Sequence, residues 1–223
     1  MAGQEQSSGR AAALEKLCRA YWHPIYAFAR RKGRSDEDAK DLTQQFFARL
    51  LEHNDFAGLD ARKGKFRTFL LTSFTHFLAN EHDRATALKR GGGKIIFSLD
   101  ELSSDPFNQF EPAGDCSPAN LFDHRWALAV LERALNRLQS EMSAAGKAGQ
   151  FDRLKTFLTA DAGADGYAGL ARQLDVADSS VAVMVHRLRQ RYRELVRAEV
   201  MGTVSSPTEL EEEMRHLFQM LNQ

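Results

Sequence analysis

Apolar residues recur along most of the chain at the three- and four-residue spacing of an amphipathic helix rather than at the alternating spacing of a strand. Tyr21 and Phe28 belong to the first such stretch, which Gly33 is expected to end. Ser35 then provides an N-cap for a second helix, with Asp38 three residues later. Because nearly every periodic stretch has this spacing, the sequence predicts an all-α protein.

A first small helical domain is predicted over residues 12–93, from three helices with apolar faces. The stripes of the second and third helices are Ala39, Leu42, Phe46 and Leu50, followed by Phe66, Phe69, Leu70, Phe74, Phe77 and Leu78. Such stripes can enclose one phenylalanine-rich core. Over residues 94–123 the periodicity gives way to prolines and acidic residues, which indicates an acidic linker.

A second helical domain is predicted over residues 124–203. Ser117 and Pro118 are typical of a helix start, as the N-cap and the first helical residue. The apolar stripe that follows them is Leu121, Leu128, Leu131, Leu135 and Leu138. Beyond this domain, residues 204–223 predict a C-terminal amphipathic helix from Pro207 onward. Its stripe is Leu210, Met214, Leu217, Phe218 and Leu221. This helix is expected either to pack on the second domain or to cover the arginines of that domain.

The last two helices of the second domain have the spacing of a helix-turn-helix, with residues 175–177 as the turn. The second of them is expected to bury Val181, Val185, Leu188, Tyr192 and Leu195. The residues then expected to face outward and bind DNA are Ser179, Ser180, Ala182, Val183, His186, Arg187 and Arg189. Short side chains near the start of such a helix reach base edges, whereas arginines hold phosphates. The alternative interpretation is an ordinary helical hairpin with a solvated basic face.

The charge of the chain is balanced but unevenly distributed. Lys plus Arg equals Asp plus Glu, at 30 each, so the formal net charge is zero. The acidic residues concentrate in the linker and the tail, which leaves basic residues grouped elsewhere. The basic group of the first domain includes Arg62, Lys63, Lys65, Arg67 and Arg84. These side chains are expected to bind DNA phosphates, although basic residues at helix ends can also simply complement helix dipoles.

The remaining features of the composition exclude several classes of protein. Cys18 and Cys116 have neither disulfide-framework nor zinc-site spacing. No apolar run approaches the roughly 20 residues of a membrane span, and the first residues lack the apolar core of a signal peptide. His76 and His82 do not have the HExxH spacing of a metalloprotease. We therefore expect a cytoplasmic protein that is not an enzyme and that has no metal and no cofactor.

A possible protein-docking face lies opposite the apolar stripe of the second helix. Its members are the carboxylates and amides of Asp38, Asp41, Gln44 and Gln45, which are neighbours at helical spacing. On the pattern alone, simple solvated helix surface is the favoured interpretation.

Three segments resemble the conserved regions of extracytoplasmic-function (ECF) sigma factors. Region 2.2 is matched by SDEDAKDLTQQFFARLLE, regions 2.3 and 2.4 by GKFRTFLLTSFTHFLANEHDR, and region 4.2 by YAGLARQLDVADSSVAVMVHRLRQRYREL. The order of region 2, an acidic linker with SLDEL, and region 4 is also that of the family. The resemblance covers nearly all of residues 12–200, and the combination is specific although each motif alone is loose.

The resemblance implies a promoter-recognition subunit of RNA polymerase. It implies that Asp38, Asp41, Gln44 and Gln45 dock on the clamp helices of the largest subunit of core RNA polymerase. It implies that the minus-ten element is engaged by Arg62, Lys63, Lys65, Arg67, His76, Asn80 and Arg84. Region 4 would then read the minus-thirty-five element in the major groove.

Some positions depart from the pattern of the family. Phe69 and His76 stand where a tryptophan and an asparagine are common, so base capture is expected to differ in preference. In the recognition helix, Ala182 and Met184 stand where members often carry polar or basic residues. These two residues predict weak direct readout of the upstream element.

The sequence also leaves open how the protein is regulated and whether it has a different function. An anti-sigma factor or a serine/threonine kinase is an expected partner, and Thr43 on the predicted docking helix is a candidate phosphorylation site, since a phosphate would add negative charge there. The rival function is a stand-alone helix-turn-helix regulator, which would bind an operator without polymerase, usually as a dimer.

Overall fold

The computed structural model describes residue 18 and residues 20–52, 65–88, 117–159, 164–174, 176–204 and 206–221. The helices in them are α1 (20–31), α2 (Asp36–Glu52), α3 (Phe66–Leu88), α4 (Pro118–Ala144), α5 (Ala148–Leu154), α6 (Ala164–Leu174), α7 (Asp178–Met201) and α8 (Pro207–Leu221). A 3₁₀ turn, Lys155–Leu158, follows α5. No strand occurs within these ranges, and the predicted all-α class is confirmed.

The helix starts follow the capping residues that the sequence predicted. The Ser35 hydroxyl accepts the backbone N–H of Asp38 at 3.1 Å, and the Ser117 hydroxyl accepts that of Asn120 at 3.1 Å. Ser206 caps α8 in the same way. In each case a short hydroxyl side chain satisfies an amide that has no partner within its own helix, and this defines where the helix begins.

The end of α1 is a Schellman motif built on Gly33. Gly33 has a φ of 82°, a conformation that side chains with a Cβ rarely adopt. The Arg34 N–H donates to the Ala29 carbonyl at 3.2 Å, and the Gly33 N–H donates to the Arg30 carbonyl at 3.0 Å. The chain therefore reverses tightly here, and α2 begins only a few residues later.

The described residues form two compact units. Unit 1 is drawn from Met1–Trp126 with Gln219–Gln223, and unit 2 from Ala127–Phe218. Most of the predicted linker, residues 94–123, lies outside the described residues, but α4 begins at Pro118, inside that stretch. The part of α4 up to Trp126 contributes its side chains to unit 1.

A cluster of phenylalanine rings forms the core of unit 1. Phe74 is fully buried on α3, with ring centroids 5.0 Å from Phe46 of α2 and 6.0 Å from Phe28 of α1. Tyr21 of α1 packs edge-on against Phe66 at 5.3 Å. Such off-parallel pairs are the favoured aromatic geometry. One ring on α3 thus joins all three predicted helices, as the phenylalanine-rich pattern indicated.

The buried face of α4 differs from the predicted one. Of the predicted leucine stripe only Leu138 is buried, and the other four leucines are half-buried. The buried apolar residues are instead Phe122, Trp126, Ala127, Val130, Ala134 and Leu138. Apart from Ala127, these residues follow four-residue steps from Phe122 to Leu138, a row that lies beside the predicted leucines and shares Leu138 with them. The aromatic residues carry more apolar area than leucine, and the alanines allow close approach, so this row is the one that is buried.

Unit 2 packs α5, α6 and α7 around a second apolar core. Phe151 and Leu154 of α5, Leu170 of α6, and Val181 and Val185 of α7 are all buried. A polar contact reinforces this core, because Arg133 of α4 donates to Glu199 of α7 at 3.1 Å. The side chain of Glu199 is only 7 % exposed, so the pair is largely shielded from water.

The amphipathic helix predicted from Pro207 is confirmed as α8. Leu210, Met214 and Leu217 are buried, whereas Phe218, which the prediction placed in the apolar stripe, is 53 % exposed. The part of α8 up to Phe218 belongs to unit 2, and Glu211 accepts a hydrogen bond from Arg197 at 2.7 Å. The part of α8 up to Phe218 therefore packs within unit 2, as the first predicted role requires, and it also engages one arginine of that unit, as the second requires.

We predict that Phe74→Ala lowers the free energy of unfolding by about 3–5 kcal/mol, the usual cost of removing a buried ring. The measurement is urea unfolding followed by circular dichroism. Phe218→Ala is the matched control, because the exposed ring of Phe218 should change stability by no more than about 0.5 kcal/mol. Equal effects of the two substitutions would contradict the central position of Phe74.

Candidate nucleic-acid interface

The predicted helix-turn-helix consists of α6 and α7. α6 ends at Leu174 and α7 begins at Asp178, as the spacing predicted. Val181, Val185 and Leu188 are each at most 5 % exposed, so the predicted packing stripe is confirmed at its centre. This packing determines which side of α7 faces solvent.

The opposite side of α7 is exposed in its N-terminal half. Ser179, Ala182, Val183, His186 and Arg187 are all exposed, and Ser180 is half-buried. The first four recur at three- and four-residue steps and so form one stripe, which we call the reading stripe. Its side chains are short apart from His186, and Arg187 stands beside it. The shape and chemistry are those of a helix that can enter a major groove.

Arg189 has an internal role that the sequence did not reveal. Its side chain is half-buried, and its Nε donates to the backbone carbonyl of Phe157 at 2.8 Å. That carbonyl lies in the 3₁₀ turn, so Arg189 joins α7 to the segment that follows α5. Its predicted position among the outward-facing residues is therefore corrected.

Arg191 is held in an ion-pair network on the surface of unit 2. Its guanidinium donates to both carboxylate oxygens of Glu141, at 2.8 and 2.9 Å, and to Glu194 at 2.8 Å. These hydrogen bonds lower the pKa of Glu141 and raise that of Arg191. The charge of this arginine is thus balanced locally, which weakens its electrostatic attraction for a phosphate.

Tyr192 fastens α7 to α4. Its hydroxyl donates to the Leu131 carbonyl at 3.0 Å. Burial raises the pKa of the Tyr192 phenol to about 12, because the charged form would have to be desolvated. Together with Arg189, this residue orients the middle of α7 within unit 2.

In unit 1, the carboxylate-and-amide face predicted on α2 lies at the surface. Asp38, Asp41 and Gln45 are exposed, and Gln44 is half-buried. At the start of the same helix, Asp36 accepts a hydrogen bond from the Tyr26 hydroxyl and pairs with Lys40 at 3.0 Å. These contacts lower the pKa of Asp36, with the Tyr26 hydrogen bond as the largest cause. α2 is therefore anchored to α1, and its opposite face is available to a partner.

The prediction that Thr43 lies on this surface is wrong. Thr43 is 0 % exposed, and its hydroxyl donates to the Ala39 carbonyl at 2.7 Å. Phe47, which the predicted stripe omitted, is buried as well. The packed face of α2 is thus wider than the four-residue stripe, and a kinase cannot reach Thr43 while unit 1 is folded.

Three of the predicted DNA-binding residues of the first domain share one face of α3. His76, Asn80 and Arg84 are exposed and separated by four residues each, which places them along one side of the helix. Arg84 also pairs with Glu81 at 2.7 Å. Lys65 is half-buried at the start of the helix. Arg62 and Lys63 lie outside the described residues.

Arg67 is not part of that exposed face. Its side chain is 11 % exposed, forms an ion pair with Asp123, and lies over the ring of Trp126 with the guanidinium carbon 5.0 Å from the centroid. The predicted exposed position is therefore corrected: Arg67 joins α3 to the first turns of α4 within unit 1. Phe122 and Trp126 at four-residue spacing were the signal that could have revealed a packed helix face here.

The described residues also bear on two other classes of function, metal binding and membrane insertion. They contain no group of three or more His, Cys, Asp or Glu side chains that could hold a metal ion. Every helix in the same ranges is too short or too polar to span a bilayer.

Comparison with known proteins identifies one family. A family model described as ECF sigma factor matches residues 4–165, which is more than half of the chain. The match includes α1 to α5 and the first residues of α6, while α7 and α8 lie beyond it. No curated protein and no solved structure matches the chain.

We predict that Arg67→Ala lowers the free energy of unfolding by about 3 kcal/mol, because it removes a largely buried ion pair and a contact with an aromatic ring. Arg84→Ala is the control. The Arg84 side chain is 61 % exposed, and loss of its surface pair should cost less than about 0.5 kcal/mol. Urea unfolding measures both values. An equally small effect of the two substitutions would indicate that Arg67 lies on the exposed basic surface.

We also predict that Tyr192 ionises near pH 12. An unfolded tyrosine ionises near pH 10, so the stability contributed by this burial is complete below pH 10 and is lost as the pH rises toward 12. The measurement is an ultraviolet titration at the phenolate band, comparing the protein with Tyr192→Phe. A difference curve with its midpoint near pH 10 would show that Tyr192 is not buried.

Proposed function

This chain belongs to the ECF sigma factor family, and on that premise we propose that it binds core RNA polymerase and directs it to promoters. The resemblance found in the sequence is thereby confirmed, and with it a role in transcription initiation. The observation that carries this proposal is that the chain exposes two chemically different surfaces. One is the carboxylate-and-amide face of α2, and the other is the reading stripe of α7.

The face of α2 is proposed to dock on core polymerase. Asp38, Asp41 and Gln45 point to solvent from a helix whose other side is packed with phenylalanines. A rigid row of carboxylates and amides suits a basic, hydrogen-bonding protein surface. In the family this docking is with the clamp helices of the largest subunit, and Gln44 would contribute from the edge of the face.

The promoter contacts are proposed to be shared between the two units. The exposed row of His76, Asn80 and Arg84 on α3 would meet the minus-ten element. The reading stripe on α7 would meet the minus-thirty-five element in the major groove. Residues 12–93 and 124–203 are proposed as regions 2 and 4, with α8 as an extension. Val183, His186 and Arg187 are exposed while α8 is packed, so α8 leaves these reading residues uncovered.

The energetics favour a helper role over independent promoter opening. Opening on the order of ten base-pair steps costs roughly 1.4 kcal/mol each. Three arginines of the described residues, Arg67, Arg189 and Arg191, have internal partners and so contribute less phosphate binding to offset that cost. Polymerase would therefore supply much of the energy, and the chain would supply the choice of sequence.

The experiment that tests the proposal is reconstituted transcription. The full chain is added to core polymerase from its host on fragments of the host genome, and start sites are mapped. We expect new, sequence-related start sites that require both components. The rival function, a stand-alone regulator, would instead give specific DNA binding by the chain alone, unchanged by core polymerase. Control by an anti-sigma factor or a kinase stays a prediction.

We predict that Asp41→Lys lowers the affinity for core polymerase at least tenfold, since it places a like charge against a basic surface and removes a hydrogen-bond acceptor. Asp152→Lys is the matched control. Asp152 is also an exposed helical aspartate, 58 % exposed and paired with Lys155 at 3.0 Å, but it lies in unit 2. Affinity is measured by competition for core polymerase, and equal affinities of the two variants would contradict docking through α2.

A further inference from the structure

Val183 is an exposed apolar side chain in the middle of the reading stripe. It is 48 % exposed and is one of four large apolar side chains that are exposed among the described residues. Valine is also a poorer helix former than alanine, lysine or glutamate, because its branched side chain loses rotamer freedom. Neither solubility nor helix formation therefore explains a valine at this position.

The neighbours of Val183 leave it accessible to a flat surface. Ser179, four residues earlier, and Ala182 have short side chains and are exposed. His186 and Arg187 follow at three and four residues, which places them beside Val183 on the helix surface. No carboxylate occurs among these five residues. A DNA base edge could reach the valine methyl groups while polar donors contact positions on either side.

The chemistry of the major groove limits what Val183 can recognise there. Base edges present hydrogen-bond donors and acceptors, and the exception is the 5-methyl group of thymine. A valine next to a donor or acceptor would displace water without replacing its hydrogen bond, which is unfavourable. Next to a thymine methyl, both partners bury apolar surface.

We propose that Val183 recognises the 5-methyl group of a thymine in the upstream promoter element, and so sets sequence preference at that base pair. This inference rests on the proposed function, since it requires the reading stripe to enter a major groove. The expectation of weak direct readout rested on Ala182 and Met184, and Val183 between them would read an apolar feature instead of a hydrogen-bonding group.

The experiment uses the full chain, with and without core polymerase, and duplexes selected from a random pool. Each thymine of the selected duplex is then replaced in turn by deoxyuridine, which lacks the methyl group but keeps every hydrogen-bonding group. We expect about a fourfold loss of affinity at one thymine, the value for one methyl group taken out of water. In Val183→Ala the loss at that thymine should fall below about twofold.

Met201→Ala is the matched control variant. Met201 is an equally exposed apolar residue of α7, at 45 %, but it lies 18 residues further along, about 27 Å at 1.5 Å per residue. This variant should keep the fourfold effect of deoxyuridine. Alanine is the better helix former, so Val183→Ala is expected to fold, and circular dichroism checks this.

The outcomes separate the inference from the proposed function. Equal affinity for all thymine and deoxyuridine duplexes overturns the inference, as does a methyl effect that persists undiminished in Val183→Ala. A selection that returns no sequence preference also overturns it. The proposed function is judged by a different readout, the dependence of specific binding on core polymerase. Binding that depends on the thymine methyl group but not on core polymerase would support the role of Val183 and refute the sigma-factor mechanism.

Discussion

The packing of Val181, Val185 and Leu188 against the rest of unit 2 is the constraint on which the reading surface depends. A helix turns by about 100° per residue, so burying one stripe of α7 decides which residues face solvent. A shift of one residue in that packing would carry Val183 toward the core and a core residue toward solvent. Tyr192 and Arg189 add polar contacts to α4 and to the 3₁₀ turn, and these resist such a rotation. The chemistry of the exposed stripe therefore follows from the fit of the buried one.

The same reasoning explains why some features of the fold could be predicted from the sequence and others could not. Local signals determine helix ends, so Ser35, Ser117 and the boundaries of the helix-turn-helix could be predicted from neighbouring residues alone. The buried face of α4 could not be predicted from neighbouring residues alone. That helix is apolar on adjacent faces, and the leucine stripe and the row from Phe122 to Leu138 lie side by side and share Leu138. Only the residues that pack against α4 decide between them, and these lie far away in the chain.

A candidate site residue could be predicted from the sequence when its position does not depend on a partner far away in the chain. The reading stripe and the α2 carboxylates were found because exposure follows from periodicity. Arg67 and Arg189 were assigned to DNA because a sequence shows a charge but not its partner, Asp123 in one case and the Phe157 carbonyl in the other. Thr43 was misplaced because threonine, when its hydroxyl bonds the preceding turn of its own helix, packs as an apolar residue does.

These internal arginines bear on how the proposed function could work. Non-specific DNA affinity comes mainly from phosphate contacts, so each arginine that has a partner within its own unit reduces the tendency to bind DNA at random. A reading surface built on small side chains and a valine contributes selectivity but little affinity. Two such modest contacts, carried by two units of one chain, become effective when a third surface holds the chain on polymerase, because the second contact is then intramolecular. The balanced net charge and the carboxylate face of α2 thus support a single mechanism, in which attachment to polymerase precedes and enables the reading of sequence.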